Sequence, residues 1–281
     1  MRGLILTHPH NDHAPGLDQL ITEFPDAWIG CAPGWVLDWP KIDLQDAQSV
    51  QSSGSRIHAL AAVHNSWTNR PETKWEIERG SQRHVGEATL TVLHPGANER
   101  LAFKRRPQVD PNLISSPVLM EWKDCRLLLG ADLPKSRWRR FDPGLDLGRH
   151  SLLKIPHHTS QNGIHDSFSV GADERYWFAT PYNRNAGLPN FSHGNGIWRY
   201  LQRATKLTLT SLPYRLNQNG QDISREVIEQ AATPKLTGLR ISLPLASAER
   251  PCRGWVAVSI CGRGTVVAER LGPLARRIVR P

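Results

Sequence analysis

Short apolar runs, each closed by a polar or turn-forming stretch, recur along most of this chain. Leu4-Ile5-Leu6 reads as a buried strand, and Pro15-Gly16 opens a helix over 15–21, where proline is tolerated in the first turn. Residues 27–30 form a short strand. Residues 31–56, rich in Pro, Gly, Asp, Gln and Ser, suggest an excursion that is partly helical around 43–51. The run 57–63 fits strand or helix, because periodicity does not decide a stretch of that length. Residues 65–84 are polar and carry tryptophans, which suggests an exposed hairpin. Strands follow over 87–93, 118–122 and 126–129, the last two joined at Lys123-Asp124. Beyond these, 152–155, 176–181 and 206–212 read as strands, and 133–141, 167–171 and 197–205 as helical pieces. A linker-like stretch over 213–235 holds one possible helix at 223–231. The clearest hairpin joins 255–260 to 265–270, and the basic tail 276–281 reads as loose.

The first strand runs directly into Thr7-His8-Pro9-His10-Asn11-Asp12-His13. Histidines two apart on a turn leaving a strand can point at one cation, and the Asp and His just beyond can point at a second. Neutral imidazole and carboxylate suit zinc, manganese or iron. A solvated loop explains any one of these residues but not the string, so this is a candidate metal site.

The string resembles the signature of the metallo-β-lactamase superfamily, and further segments follow in the expected order. Arg126-Leu127-Leu128-Leu129-Gly130-Ala131-Asp132 resembles the strand ending in a metal-bridging Asp. Ser151-Leu152-Leu153-Lys154-Ile155-Pro156-His157-His158-Thr159-Ser160 resembles the strand ending in the late metal-binding His. The His-His-Thr-Ser form is close to the His-His-Gly-Ser of the ComEC-like branch. Asn112-Leu113-Ile114-Ser115-Ser116-Pro117-Val118-Leu119 is similar to that branch's Asn-x-x-Ser segment. The resemblance covers roughly residues 1–182 and implies an α/β fold, the αββα sandwich. About 50 residues normally precede the first motif in this superfamily, so the expectation here is an N-terminal truncation with an incomplete first half-sheet. The expected division is a hydrolase domain over 1–212 and an extension over 213–281, packed on the same domain with its hairpin.

By the same resemblance, His8 and His10 hold one metal, and Asp12 and His13 a second. Asp132 bridges the two, and His157 completes the second. His158 is taken as a proton donor, although either imidazole of the pair fits the ligand role. Asp12 orients the attacking water, while Thr159, Ser160, Asn183 and Arg184 are candidate substrate contacts. The cofactor expectation is two divalent ions, zinc or manganese, with a one-ion site as the variant. The superfamily's middle metal histidine has candidates in His58, His64, His84 and His94. His94 is favoured by its strand-end position, although Pro95-Gly96 after it also reads as a plain turn.

Composition narrows the substrate. Net charge is +9 and the sequence pI about 9.8. Cations cluster at Lys104-Arg105-Arg106, Arg137 with Arg139-Arg140, and Arg276-Arg277 with Arg280. Such a surplus favours polyanions by counterion release. The expected activity is therefore a metal-activated water attacking a phosphodiester of DNA or RNA. A small-molecule ester, lactone or phosphoester hydrolase is the alternative within the enzymes. A non-catalytic nucleic-acid-binding remnant is the alternative outside them. A homodimer, or a partner completing the sheet, would cover the missing half-sheet's edge. Cys31, Cys125, Cys252 and Cys261 are widely spaced, which gives neither a zinc ribbon nor a disulfide framework. No long apolar run or leader pattern is present, so the expectation is a cytoplasmic protein without a membrane partner.

Overall fold

The computed structural model describes residues 1–10, 13–14, 16–32, 54–105, 110–140, 147–165, 168, 175–180, 197–201, 203, 206–210, 240–242, 256–260, 266–271 and 276–279. The chain divides into two units, Met1–Leu119 and Met120–Pro281.

In the first unit a three-stranded parallel sheet has the order β1 (Gly3–Leu6), β2 (Trp28–Cys31), β3 (Lys74–Glu76). Leu4 and Leu6 alternate inward on β1, so a run of only four residues can anchor the core. Two glycines let tryptophans lie flat on this sheet. A Cβ at Gly3 would fall 2.0 Å from the Trp28 ring, and one at Gly30 would fall 2.9 Å from Trp75. Trp28 and Trp75 then meet edge-on at 5.2 Å. Helix α1 (Leu17–Glu23) buries Leu17 and Ile21. It packs on α2 (Gly54–Asn69), whose Ala59, Leu60, Val63 and Trp67 make one buried stripe at helical spacing. The 57–63 run is thus helical. Trp67 fixes α2 to the sheet by donating Nε1–H to the Ile29 carbonyl at 3.0 Å. The expected hairpin over 65–84 is not formed. The segment ends α2, adds β3 beside β2 with Trp75 buried, and then enters β4 (Gln82–Val85), paired antiparallel with β5 (Ala88–Val92). Burial of Trp75 outweighs the polarity of its neighbours.

Helix α3 (Ala97–Arg105) completes the first unit, and β6 (Val118–Trp122) crosses the boundary. In the second unit β7 (Cys125–Leu129), β8 (Leu152–Lys154), β9 (Tyr176–Ala179) and β10 (Lys206–Leu209) are parallel neighbours in that order. Leu152 and Leu153, adjacent in β8, are both buried, as a parallel strand covered on two faces requires. Short helices α4 (Lys135–Trp138) and α5 (Ile197–Leu201) lie on the connections. Strands β11 (Arg240–Ser242) and β14 (Arg276–Val279) extend the sheet beyond β10, both pairings of β14 being antiparallel. The tail expected to be loose is therefore a strand, because β10 offers it a backbone edge. Strands β12 (Val256–Ile260) and β13 (Val266–Leu271) form the expected hairpin. The expected helices at 43–51, 167–171 and 223–231 fall outside the described residues, Phe168 apart. Among the described residues no helix is long and apolar enough to cross a membrane.

Candidate metal centre

Where β1 ends, the chain turns at once. The amides of His13 and Ala14 both donate to the His10 carbonyl at 3.0 Å, which folds 10–14 back and gathers three imidazoles. Ring centroids lie 5.6 Å apart for His8 and His10, and 4.3 Å apart for His8 and His13. His8 is buried, while His10 and His13 are half-buried. The Nδ1 of His8 sits between two hydroxyls, Thr7 Oγ1 and Ser115 Oγ, each at 3.2 Å. Ser115 belongs to a buried segment that docks on the strand end, with the Ser116 amide donating to the Thr7 carbonyl at 3.0 Å. The Asp110 carboxylate shapes that segment by accepting the Asn112 amide at 2.9 Å. The carbonyl of the same Ser115 accepts Nδ1–H of the fully buried His94 at 3.0 Å. One serine thus holds two histidines, one through each of its oxygens.

In the second unit, the parallel strands β7 and β8 deliver their ends to the same edge of the sheet, where sites of α/β proteins form. Gly130 lets the loops touch. A Cβ there would come within 2.4 Å of Pro156 Cγ and 2.8 Å of the Lys154 carbonyl. Next to it Asp132 is almost wholly buried. His158 Nε2 lies 3.2 Å from one of its carboxylate oxygens, and Lys154 Nζ lies 3.8 Å from the other. Lys154, only 15 % exposed, also reaches the Ala131 carbonyl at 3.4 Å. His158 donates Nδ1–H to the Thr180 carbonyl at 2.8 Å, which fixes the ring and leaves Nε2, facing Asp132, as the nitrogen that could bind a metal.

The turn carrying His158 is strained. His157, His158 and Thr159 have φ of 48°, 50° and 68°, three consecutive non-glycine residues in the left-handed region. Each costs on the order of 1–2 kcal/mol, more for a β-branched residue. Strain of this size persists where the surrounding structure enforces it, commonly at sites. Here the amide of His157 donates to the Ala131 carbonyl at 3.0 Å, and that of Ser160 to the His157 carbonyl at 2.7 Å.

Residues 2–165, more than half of the chain, match the Metallo-beta-lactamase superfamily. The chain belongs to that superfamily. Its mixed sheets and helices are consistent with the metallo-β-lactamase fold. The match supports a metal-dependent hydrolase, since the superfamily is mostly that and usually binds divalent metals. No curated protein matches the chain.

The donor chemistry fits such a metal. His8, His10 and His13 in the first unit, and Asp132 and His158 in the second, supply the His and Asp set of ligand types that a divalent ion takes. The rings of His8 and His158 are already oriented through Nδ1, an arrangement common among metal-ligating histidines. Of the residues singled out in the sequence, His158 rather than His157 meets Asp132, and His157 is half-buried beside it. Thr159 is fully buried, and its Oγ1 has no hydrogen-bond partner among the described residues. Ser160 Oγ caps the next turn by accepting the Asn162 amide at 3.3 Å. Asp12, Asn183 and Arg184 lie outside the described residues. His58 and His84 are exposed and His64 is half-buried on α2, none of them in the set. Sequence reasoning missed Ser115, Lys154 and Thr180. The first two stand inside quoted motifs, and that was the only available signal. Thr180 acts through a backbone carbonyl, which no sequence pattern marks.

Proposed function

We propose that this chain is a metal-dependent phosphodiesterase of the ComEC-like branch, acting on DNA or RNA. The observation that carries the proposal is the Asp132–His158 pair, with His158 locked by the Thr180 carbonyl in the tautomer a metal ligand needs. By the motif order of the superfamily, His8 and His10 would serve one divalent ion and His13 and His158 another, zinc or manganese, with Asp132 serving both. Asp12 joins the second group by its place in the first motif. Such ions, when bound, lower the pKa of water and neutralise charge developing on a phosphoryl oxygen.

The chain's own residues do the rest. Asp132 would supply the negative charge to the bound ions, and Lys154, 3.8 Å from its carboxylate, offsets part of that charge. Lys154 also presents a fixed ammonium to an anionic substrate, because its side chain stays 15 % exposed. His157 is half-buried and next to the ligand, so it takes the role of proton donor to the leaving oxygen, exchanging roles with His158 relative to the sequence assignment. Support for a nucleic-acid substrate comes from the net charge of +9 and from the Asn112–Ser115 and His157–Ser160 segments.

The test is metal content by elemental analysis, together with hydrolysis of a phosphodiester ester probe, DNA, RNA and a lactone, for wild type and Asp132→Ala. Stoichiometric metal with phosphodiester cleavage abolished by the substitution is the expected result. Metal with lactone cleavage alone would overturn the substrate, and folded protein taking no metal would overturn the hydrolase reading.

A further inference from the structure

Tyr200 lies outside the stretch that matches the superfamily, on the short helix α5 of the second unit, yet it reaches the strained histidine turn. Its side chain is fully buried, and its hydroxyl donates to the Ser160 carbonyl at 3.3 Å. Gly163 makes room for it. A Cβ at that position would stand 3.0 Å from the Tyr200 oxygen and 2.6 Å from the Pro156 carbonyl oxygen. The chain from Pro156 to Gly163 therefore folds tightly on itself around one phenol oxygen. The Gly163 amide closes the loop by donating to the same Ser160 carbonyl at 2.9 Å. Trp177, from strand β9, meets the Tyr200 ring edge-on at 6.4 Å and steadies it.

We propose that Tyr200 is a positioning residue for the metal-binding turn. Its hydroxyl, given to the Ser160 carbonyl, holds His157-His158-Thr159 in the left-handed conformation and so keeps His158 Nε2 on Asp132. The left-handed run ends at Thr159, and the next residue's carbonyl is where the brace attaches, so the bond acts where the backbone would otherwise unwind. Burial, aided by the Asp132 carboxylate and opposed by Arg203, pushes the phenol well above the usual tyrosine range. It stays a donor across the working pH. The inference rests on His158 being a metal ligand, a role that the sequence match through residue 165 cannot tie to a residue at 200.

The experiment compares the full chain as wild type, Tyr200→Phe and Trp67→Phe. The last variant deletes a different buried donor, the indole N–H given to the Ile29 carbonyl at 3.0 Å. Two quantities are read: amide hydrogen exchange of metal-free protein, and Zn²⁺ and Co²⁺ affinity by chelator competition with the Co²⁺ absorption spectrum. In Tyr200→Phe, exchange over 157–163 should quicken about fivefold to tenfold while the strands keep their protection. Metal affinity should fall roughly 10–100-fold with a changed Co²⁺ spectrum, as for the loss of other groups that orient a ligand. Trp67→Phe should leave both the 157–163 exchange and the spectrum as in wild type. Unchanged exchange over 157–163, or a rise spread evenly over the chain, would overturn the brace. Faster local exchange with unaltered affinity and spectrum would overturn its link to the metal. A wild type that takes no metal sinks the ligand reading instead, and the exchange comparison still decides whether Tyr200 braces the turn.

Discussion

His158 presents Nε2 to Asp132 at 3.2 Å while its Nδ1 proton is committed to the Thr180 carbonyl at 2.8 Å. The pair therefore turns one ring nitrogen and one carboxylate towards each other, and a divalent cation would bind them as neutral imidazole and carboxylate. Replacing Asp132 by Asn keeps the shape and removes the charge. The expected outcome is loss of at least one equivalent of bound metal and a fall in hydrolysis of about 10³-fold, reflecting several kcal/mol of lost charge stabilisation. Elemental analysis and steady-state rates check it. Full metal content in the variant would contradict the assignment.

Ser115 touches His8 through its hydroxyl and His94 through its carbonyl, and the two roles separate cleanly by mutation. Ser115→Ala removes only the first. Metal affinity should weaken about 10-fold, the lower end for groups that orient a ligand, while stability drops by about 1 kcal/mol. Chelator competition and urea unfolding measure the two effects. A stability loss with unaltered affinity would reduce Ser115 to a structural bond.

Thr159 is the costliest member of the left-handed run, a β-branched residue at φ 68° with a buried hydroxyl that has no partner among the described residues. Glycine adopts that conformation without penalty. Thr159→Gly should therefore stabilise the protein by about 1 kcal/mol, the relieved strain exceeding the extra entropy of glycine in the unfolded chain. The melting temperature should rise by a few degrees. A lower melting temperature would mean that the methyl group's packing outweighs the strain.

Burial raises the Cys31 thiol well above its ordinary value, so the folded protein keeps that proton where the unfolded chain releases it. The stability linked to this group is fully present below the unfolded thiol's pKa of about 8.5. It is lost as pH rises above that value, by up to about 1.4 kcal/mol per pH unit. Urea unfolding between pH 7.5 and 10 should give a falling stability that flattens in Cys31→Ala. An identical slope in both proteins would assign the fall to other groups.

The parts of this protein that sequence revealed are those where chemistry and local structure coincide. Leu4–Leu6, Arg126–Leu129 and Leu152–Lys154 are apolar runs ending in histidine or aspartate, so strand and site announced each other. Residues 57–63 were ambiguous because the deciding fact, Trp67 bonded to the Ile29 carbonyl, joins positions 38 residues apart. Thr180 and Tyr200 contribute a carbonyl and a hydroxyl to partners 22 and 40 residues away, and neither side chain is unusual in its own neighbourhood. The tail misled because its arginines suggest solvent, whereas its pairing with β10 depends on backbone alone.

That last pairing has a consequence for synthesis. Strand β14 lies between β10 and β11 in the sheet order, although it follows both in the chain. A ribosome releases β10 and β11 long before their common neighbour exists, and among the described residues of the interval the hairpin β12–β13 is the element that can form from purely local contacts. The sheet of the second unit therefore cannot close on this side until Val279 emerges, and up to then the nascent chain carries two open strand edges that need shielding.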